Sequence, residues 1–594
     1  MSTDLERYAA IGDMRTLGLV DDGGSLDWWC WPRFDSPSVF GRLLDDDGGH
    51  WQIEPTETVV AHRHVYLSGT NVLVTRMHTE TGVLEIDDLM AVGDTRLVIR
   101  RARCVRGTVA LRSTMIVRPD YGRADARFSE RDGEIRIDVG EVPPLVATAS
   151  VELAIDGDTV RGECELGEGE SAWFTLGADG HTALDVGTVI DDTVDYWQLW
   201  TAQSTYRGRW REAVERSALV LKLLTSIETG GLIAAGTTSL PEVAGGERNW
   251  DYRYVWIRDA AFTLYAFLEL GYTSEAAAFT EWLTDRLEAC ADRCTATDRP
   301  PLSPLYDLDG NDDLGETNLD HWSGYADSRP VRIGNAASSQ AQLDIYGELI
   351  DSVYIADKQS DGVSIATWRH VRTLVDWVVD HWDEPDDGMW EARSGPRRYT
   401  SSLLMCWVAV ERAMRMARRR GRPGDLVTWQ RARDEMHATL VDRGFSDDLQ
   451  AFTQTLDGET LDASILLMPL VKFIAPTDPM WRTTLDAIGN GLAHGPLVDR
   501  YDPSVTDDGL DGDEGSFTIC SFWYVEAMSR SGRVEEARRH FDRLLTYATP
   551  TGLFSEEIGP NGRLLGNFPQ AFTHLALISA AVSLNETLEA GSTT

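Results

Sequence analysis

The sequence predicts two unlike domains in series: an antiparallel β-sandwich over residues 1–205, linker included, and an α/α barrel over residues 206–594. Three observations carry this. The first third of the chain is filled by short runs rich in β-branched residues, separated by turn signals. Helical periodicity takes over near Tyr206. The segments that follow alternate between apolar all round and apolar on one face, as two concentric rings of helices require.

In order, Asn71–Met77, Val83–Leu89 and Arg96–Val105 read as strands, divided by Thr81-Gly82, Gly93-Asp94 and Arg106-Gly107. Val109–Val117, Glu134–Val139 and Leu145–Leu153 continue the pattern, and Asp22-Gly23-Gly24 reads as a hairpin turn. Strands at this spacing suggest a sandwich. Twelve helices are predicted, near 206–227, 258–271, 274–292, 335–356, 363–381, 398–420, 424–442, 460–473, 477–493, 515–531, 533–548 and 568–588. Val371, Leu374, Val375 and Val378 make one apolar face, as do Val534, Ala537, Phe541, Leu544 and Leu545; Leu403–Val410 and Ser516–Val525 are apolar on most sides.

Composition narrows the function. With 96 Asp and Glu against 55 Lys and Arg, the formal charge is −41, which repels a phosphate backbone or an anionic membrane surface. Lysine occurs only as Lys222, Lys358 and Lys472. Acid-rich, lysine-poor composition resembles that of proteins from cells with molar salt in the cytoplasm, where excess carboxylate maintains hydration. No run approaches the roughly 20 apolar residues of a membrane span. Met1–Val20 has no apolar stretch of the secretory kind, so a cytoplasmic location is expected. Seven scattered cysteines without a CxxC pair suit reduced thiols, and Cys290 and Cys294, one turn apart, read as buried thiols.

The motifs of nucleotide binding, zinc proteolysis and serine hydrolysis are absent. Asp307–Asp313 resembles a calcium loop but has Asp312 at the glycine position and Asn318 at the glutamate position, so it reads as a solvated acidic loop. No metal and no cofactor are expected. What remains is a set of carboxylates beside aromatics, in a chain with 20 Trp. Indole suits the C–H faces of sugars, and carboxylate and guanidinium suit their hydroxyls. Three loops combine these groups: Arg248–Asp259, Gly388–Arg393, and Gly552–Glu557 followed by Gly566–Gln570. Glu391 follows Trp390, an apolar neighbour that favours a protonated acid; Glu556 sits in a polar stretch that favours an ionised base. Glycoside hydrolysis needs one of each. As surface helix caps, the same residues would have no catalytic part.

These segments resemble glycoside hydrolase family fifteen, the family of glucoamylases, glucodextranases and prokaryotic trehalases. The likeness runs through Ile11–Thr16, Gly24–Pro37, Tyr325 with Arg329–Asn335, Gln342–Glu348, Met405–Trp407, Glu514–Phe517, Cys520–Trp523 and Gly566–Phe572. It is to the bacterial and archaeal branch. It implies an amino-terminal β-sandwich on a catalytic (α/α)6 barrel and single-displacement hydrolysis with inversion. By the same resemblance Glu391 is the general acid and Glu556 the general base, with Glu557 a second candidate. Trp256, Arg258 and Asp259 hold the terminal glucose, with Trp390 beside them, and Arg500 is a second guanidinium on that sugar; Glu514 is a weaker candidate. The fungal pattern Trp-Glu-Glu is here Trp390-Glu391-Ala392, so the second carboxylate, on the leaving sugar, is missing.

The expected activity is therefore inverting removal of terminal non-reducing glucose from a small α-glucoside, glucoamylase-like, with release of β-glucose. Trehalose hydrolysis on the same site is the alternative. An α-glucoside phosphorylase or a silent sugar-binding protein are alternatives of another class. Neither nucleic acid nor membrane is expected as a partner, and the oligomeric state is left open.

Overall fold

The structure is a computed structural model that describes residues 3–178, 185–293, 300–359, 362–510 and 512–592. Cys294 lies outside the described residues. The remaining six cysteines are free thiols. No helix among the described residues is long and apolar enough to cross a membrane.

The amino-terminal part is a 15-stranded antiparallel sheet folded over on itself. The fold line is one strand, Leu97–Ile116. Its first half pairs with Gly82–Met90 and Ser171–Ala178, and its second half with His50–Pro55 and Thr159–Gly167. One strand thus belongs to both layers, and Trp51, Ile53 and Leu111 of one meet Leu84, Ile86 and Phe174 of the other in a common core. Period-2 patterning sets the facing: in Leu73–His78, Leu73, Thr75 and Met77 are buried. The Arg106-Gly107 signal does not end a strand as expected. Gly107, with φ +75°, stays paired with Gly82, where a Cβ would meet the Thr81 carbonyl oxygen at 2.2 Å, and an extra residue at Val105 makes a bulge between the Cys104 and Arg106 pairs as the strand passes from one layer into the other. The Asp22-Gly23-Gly24 turn forms as expected, with Asp21 Oδ1 accepting from the amides of Gly23 and Ser25.

The helices are α1 (Val186–Thr201), α2 (Arg211–Leu224), α3 (Ala260–Leu270), α4 (Thr273–Arg293), α5 (Asp344–Gln359), α6 (Ile365–His381), α7 (Thr400–Arg420), α8 (Leu426–Arg443), α9 (Pro479–Gly491), α10 (Thr518–Arg530), α11 (Val534–Leu544) and α12 (Ala571–Ser592). Helices α2–α12, with the 3-10 turn Ala463–Leu467 packed against α7 and α10 in the twelfth place, form an (α/α)6 barrel, and α1 is a preceding connector. Helices α3, α7 and α10 are buried nearly all round, whereas α6 and α11 bury one stripe. Side-chain caps start several, such as Ser364 before α6 and Asp478 with Pro479 before α9; Gly271 and Gly421, both left-handed, end α3 and α7.

Two predicted helices differ. The segment 460–473 holds only the 3-10 turn Ala463–Leu467, because Pro469 lacks the N–H that an α-helix needs. The segment 335–343 is likewise not α-helical: Asn335 caps a 3-10 turn, and α5 begins only at Asp344. Helix α1 was not expected; its β-branched and acidic residues hide an apolar stripe of Val186, Ile190, Trp197 and Trp200. Trp200 stacks on Tyr272 at 4.0 Å and donates to Glu275, while Thr201 donates to Gly69 of the sandwich.

The sandwich also braces the barrel's loops. Trp28 Nε1 donates to the Gly236 carbonyl at 2.8 Å. Arg253, buried in the loop before α3, pairs with Asp251 and reaches the Ser36 carbonyl and the Tyr121 hydroxyl. The predicted acidic loop at 307–313 is closed by Asp307, which accepts from Asn311, and is tied to the sandwich by Arg33 and Asp309.

Candidate active site

The loops before α3, α5, α7, α10 and α12 converge at one end of the barrel, where inner helices present unpaired N–H groups. They surround a pocket with about 550 Å³ of space between its walls. Glu391, Trp390, Arg258 and Arg500, expected from the sequence, line it together.

Glu391 sits in a tight turn with φ +61°, its amide donating to the Gly388 carbonyl. Gln340 Nε2 donates to the Glu391 and Ala392 carbonyls and holds the turn from the side. The carboxylate is about one-fifth exposed (19%) and Oε1 accepts from Trp256 Nε1 at 2.7 Å and from Arg258 Nη1 at 3.1 Å. The apolar surroundings expected from Trp390 are therefore not those of this carboxylate. The Trp390 indole turns its Nε1 to Asp462 and packs its ring on Phe517.

Glu556 has the opposite environment. It is fully buried, not in the polar setting its sequence neighbours suggest. Oε2 accepts from the Asn567 amide at 3.0 Å, and Oε1 meets no donor at hydrogen-bond distance among the described residues. Burial, with the nearby Glu242 carboxylate adding repulsion, pushes its pKa up to about 8, against the Tyr252 hydroxyl and the Asn567 amide, which favour the ionised form. Tyr252 lines the pocket, so Glu556 lies behind it. Gly566 makes room: with φ +70°, a Cβ there would sit 2.5 Å from Glu556 Oε2. Glu557, next in a short strand, points elsewhere and accepts from the Gly515 amide.

Asp259 is buried behind Arg258, whose Nε reaches it at 3.4 Å; burial raises its pKa to about 6 against the pull of that guanidinium. Arg258 Nη1 also donates to the Met389 carbonyl, fastening the loop before α3 to the loop before α7. Trp256 is buried beneath. Arg500 is held by Glu514, at 2.6 and 2.8 Å, and by Glu242, at 3.1 Å.

Two pocket residues, Glu242 and Tyr252, are not singled out by the sequence, whereas Asp508 lies in the acidic run 507–514 that the sequence offers as a source of the missing carboxylate. Glu242, buried, accepts from the Trp250 indole and from Arg500; burial pushes its pKa up to about 7, with Arg500 opposing and Glu514 adding to the rise. It lies outside the three loops, and nothing in its neighbours marks it. Tyr252 lies within the Arg248–Asp259 stretch, where an aromatic among aromatics carries no distinguishing signal. Asp508 is bound by Arg248 and by the Tyr501 hydroxyl at the pocket wall. Asp344, at the start of α5, is buried with both carboxylate oxygens unbonded. Glu242, Glu514 and Glu557 bring carboxylate oxygens within 4.8 Å of one another, but Arg500 lies among them and supplies the balancing charge.

The pocket thus sets Glu391 among guanidiniums and indoles, with Glu556 buried behind Tyr252. Residues 208–582 match the model of glycosyl hydrolases family 15, and residues 1–166 match a trehalase-like, N-terminal model. The chain is 39% identical over 608 residues to a trehalase of Mycobacterium tuberculosis, covering 97% of this chain and 88% of that one. It is 34% identical over 604 residues to a trehalase of Thermoplasma volcanium, covering 98% and 94%. Among solved structures, a bacterial glucoamylase complexed with acarbose superposes with a TM-score of 0.68 at 11% identity, covering 99% of this chain and 94% of that one, a likeness of fold. The chain belongs to glycosyl hydrolases family 15, and it is a glycoside hydrolase.

Proposed function

We propose that the protein hydrolyses α,α-trehalose with inversion, taking one glucose ring into the pocket beside Trp256, Arg258 and Asp259. Glu391 gives its proton to the glycosidic oxygen. Glu556 takes a proton from the water that attacks the anomeric carbon from the other side, using the Oε1 that no protein donor occupies. One molecule of β-glucose and one of α-glucose leave. Arg258, on Glu391, and Arg500, in the pocket wall, steady the charge that moves.

The observation that carries the choice of substrate is the closure of the pocket. Loop 507–510 lies directly on the loop that holds Glu391: the Arg393 amide donates to the Asp508 carbonyl at 2.7 Å, and a Cβ on Gly509 would meet the Arg393 carbonyl carbon at 2.4 Å. Both Asp508 oxygens are engaged by Arg248, Tyr501 and the Leu510 amide. With its oxygens so engaged, Asp508 walls the pocket without offering a free carboxylate in place of the one missing at Ala392. Such a wall suits a disaccharide and not a long α-1,4 chain. The near full-length likeness to proteins named trehalase supports the same substrate.

Parallel kcat/KM measurements on trehalose, maltose, maltotriose and soluble starch test this reading. Trehalose is expected to lead, with no phosphate dependence of the products. A clear preference for maltotriose or starch would establish the glucoamylase-like reading instead.

A further inference from the structure

The barrel has a second cavity at its other end. The catalytic loops precede the N-termini of the inner helices, whereas this cavity opens between their later turns and holds about 1330 Å³, mouth included. From Phe262 to Glu269 along α3 it extends roughly 10 Å, at 1.5 Å per residue. An aromatic partition separates it from the catalytic pocket. Phe262, Trp523 and Phe572 pack with ring centroids 5.5 to 5.9 Å apart, Arg258 lies over Phe572 and Trp390 touches Trp523.

The floor of this cavity is built of buried polar groups. Glu348, 4% exposed, makes no side-chain hydrogen bond or ion pair among the described residues. Arg412, equally buried, gives Nε to Asp351 and Nη2 to the Val471 carbonyl, and Nη1 meets no acceptor among the described residues. An unpartnered buried carboxyl is costly and calls for an explanation. Glu348 belongs to the Gln342–Glu348 segment, yet it faces away from the catalytic pocket. Toward the mouth stand Lys358 and Lys472, two of the chain's three lysines, opposite Glu269 and Glu586.

We propose that this cavity is a second, non-catalytic site for a polyhydroxylated small molecule of one or two sugar rings. Its hydroxyls bond Glu348 at the floor, with Arg412 beside it, and its C–H faces lie on Phe262, Tyr265 and Tyr354. Four acidic and four basic side chains line the cavity, so neither a free anion nor a free cation is favoured. A hydroxyl both donates and accepts, and so matches guanidinium and carboxyl together. Burial and the nearby Asp351 and Asp344 carboxylates raise the Glu348 pKa well above the ordinary carboxylate range.

Titration calorimetry of the full chain with D-glucose, which is not turned over, tests the proposal whatever the natural substrate. Two sites per chain are expected. Asp259→Asn should weaken one, and Glu348→Leu should weaken the other by about tenfold or more while sparing the first. Ile355→Trp, at the half-buried wall, should block the same site as Glu348→Leu without touching the floor, and decides the matter if Glu348→Leu fails to fold. A single glucose site in the unaltered chain overturns the proposal, as does a second site that neither substitution weakens. Failure of trehalose hydrolysis would leave this proposal standing.

Discussion

The Trp256 indole donates to Glu391 Oε1 at 2.7 Å, the same oxygen that Arg258 reaches at 3.1 Å. One carboxylate oxygen is thus fixed by two donors from the loop before α3, and in the proposed reaction Oε2 is the oxygen that carries the proton to the glycosidic bond. Trp256→Phe keeps the ring and deletes the donor. A hydrogen bond to a charged group contributes about 1.5–3 kcal/mol, so kcat should fall by roughly ten- to hundredfold with KM little changed. An unchanged kcat would show that the indole does not orient the acid.

Glu391→Gln and Glu556→Gln should each remove most of the turnover without unfolding the chain, since general acid–base groups contribute about 10²–10⁴-fold each. Glu557→Gln should have the smaller effect, because that carboxyl is turned to the Gly515 amide. Steady-state rates with circular dichroism as the folding control provide the check. Greater loss in Glu557→Gln than in Glu556→Gln would exchange their roles.

Glu556 must be ionised to act as a base, and its pKa in the ligand-free protein is held at about 8 by burial and by Glu242. Activity should therefore fall as pH drops below that value, so kcat/KM should have an acidic limb well above the usual carboxylate range. Glu242→Gln removes a neighbouring negative charge and frees Arg500 from one partner. Both changes favour ionised Glu556, so the limb should move to lower pH. A pH profile that stays in place would separate Glu242 from the base.

Ala392→Glu restores a carboxylate beside the acid, at a position buried in the pocket wall. One bond to the second sugar is worth about tenfold. The ratio of maltose to trehalose kcat/KM should rise in the variant. An unchanged ratio would place discrimination in loop 507–510.

The charge of −41 with three lysines implies dependence on salt. At 0.01 M the Debye length is about 30 Å, and carboxylates across the surface repel one another unscreened. Circular dichroism during dialysis from molar salt into dilute buffer should show loss of helix. A signal unchanged in dilute buffer would mean that the acidic surface serves solubility alone.

Local pattern was enough for much of the architecture. Alternation in Leu73–His78 and the one-sided stripe of α6 follow from which side chains must leave water, and both are periodic in sequence. Single residues override the pattern in two places: Pro469 cuts short a helix, and a bulge at Val105 carries a strand on where Arg106-Gly107 signals a turn. Helix α1 was hidden because its β-branched residues favour strand locally, while packing on Tyr272 and the sandwich decides for helix.

The sequence by itself determined the family, the two-part architecture and the candidate carboxyls, because these rest on residue types, order and spacing. Only the tertiary structure decided the surroundings of each carboxyl. Glu391, beside Trp390 in sequence, meets Trp256 and Arg258 from a loop 133 residues and more away; Glu556, in a polar stretch, is buried behind Tyr252 and beside Glu242. The physical reason is that a pKa depends on burial and on charges within a few ångströms, and most of those neighbours are supplied by loops distant in the chain that meet only when the barrel closes.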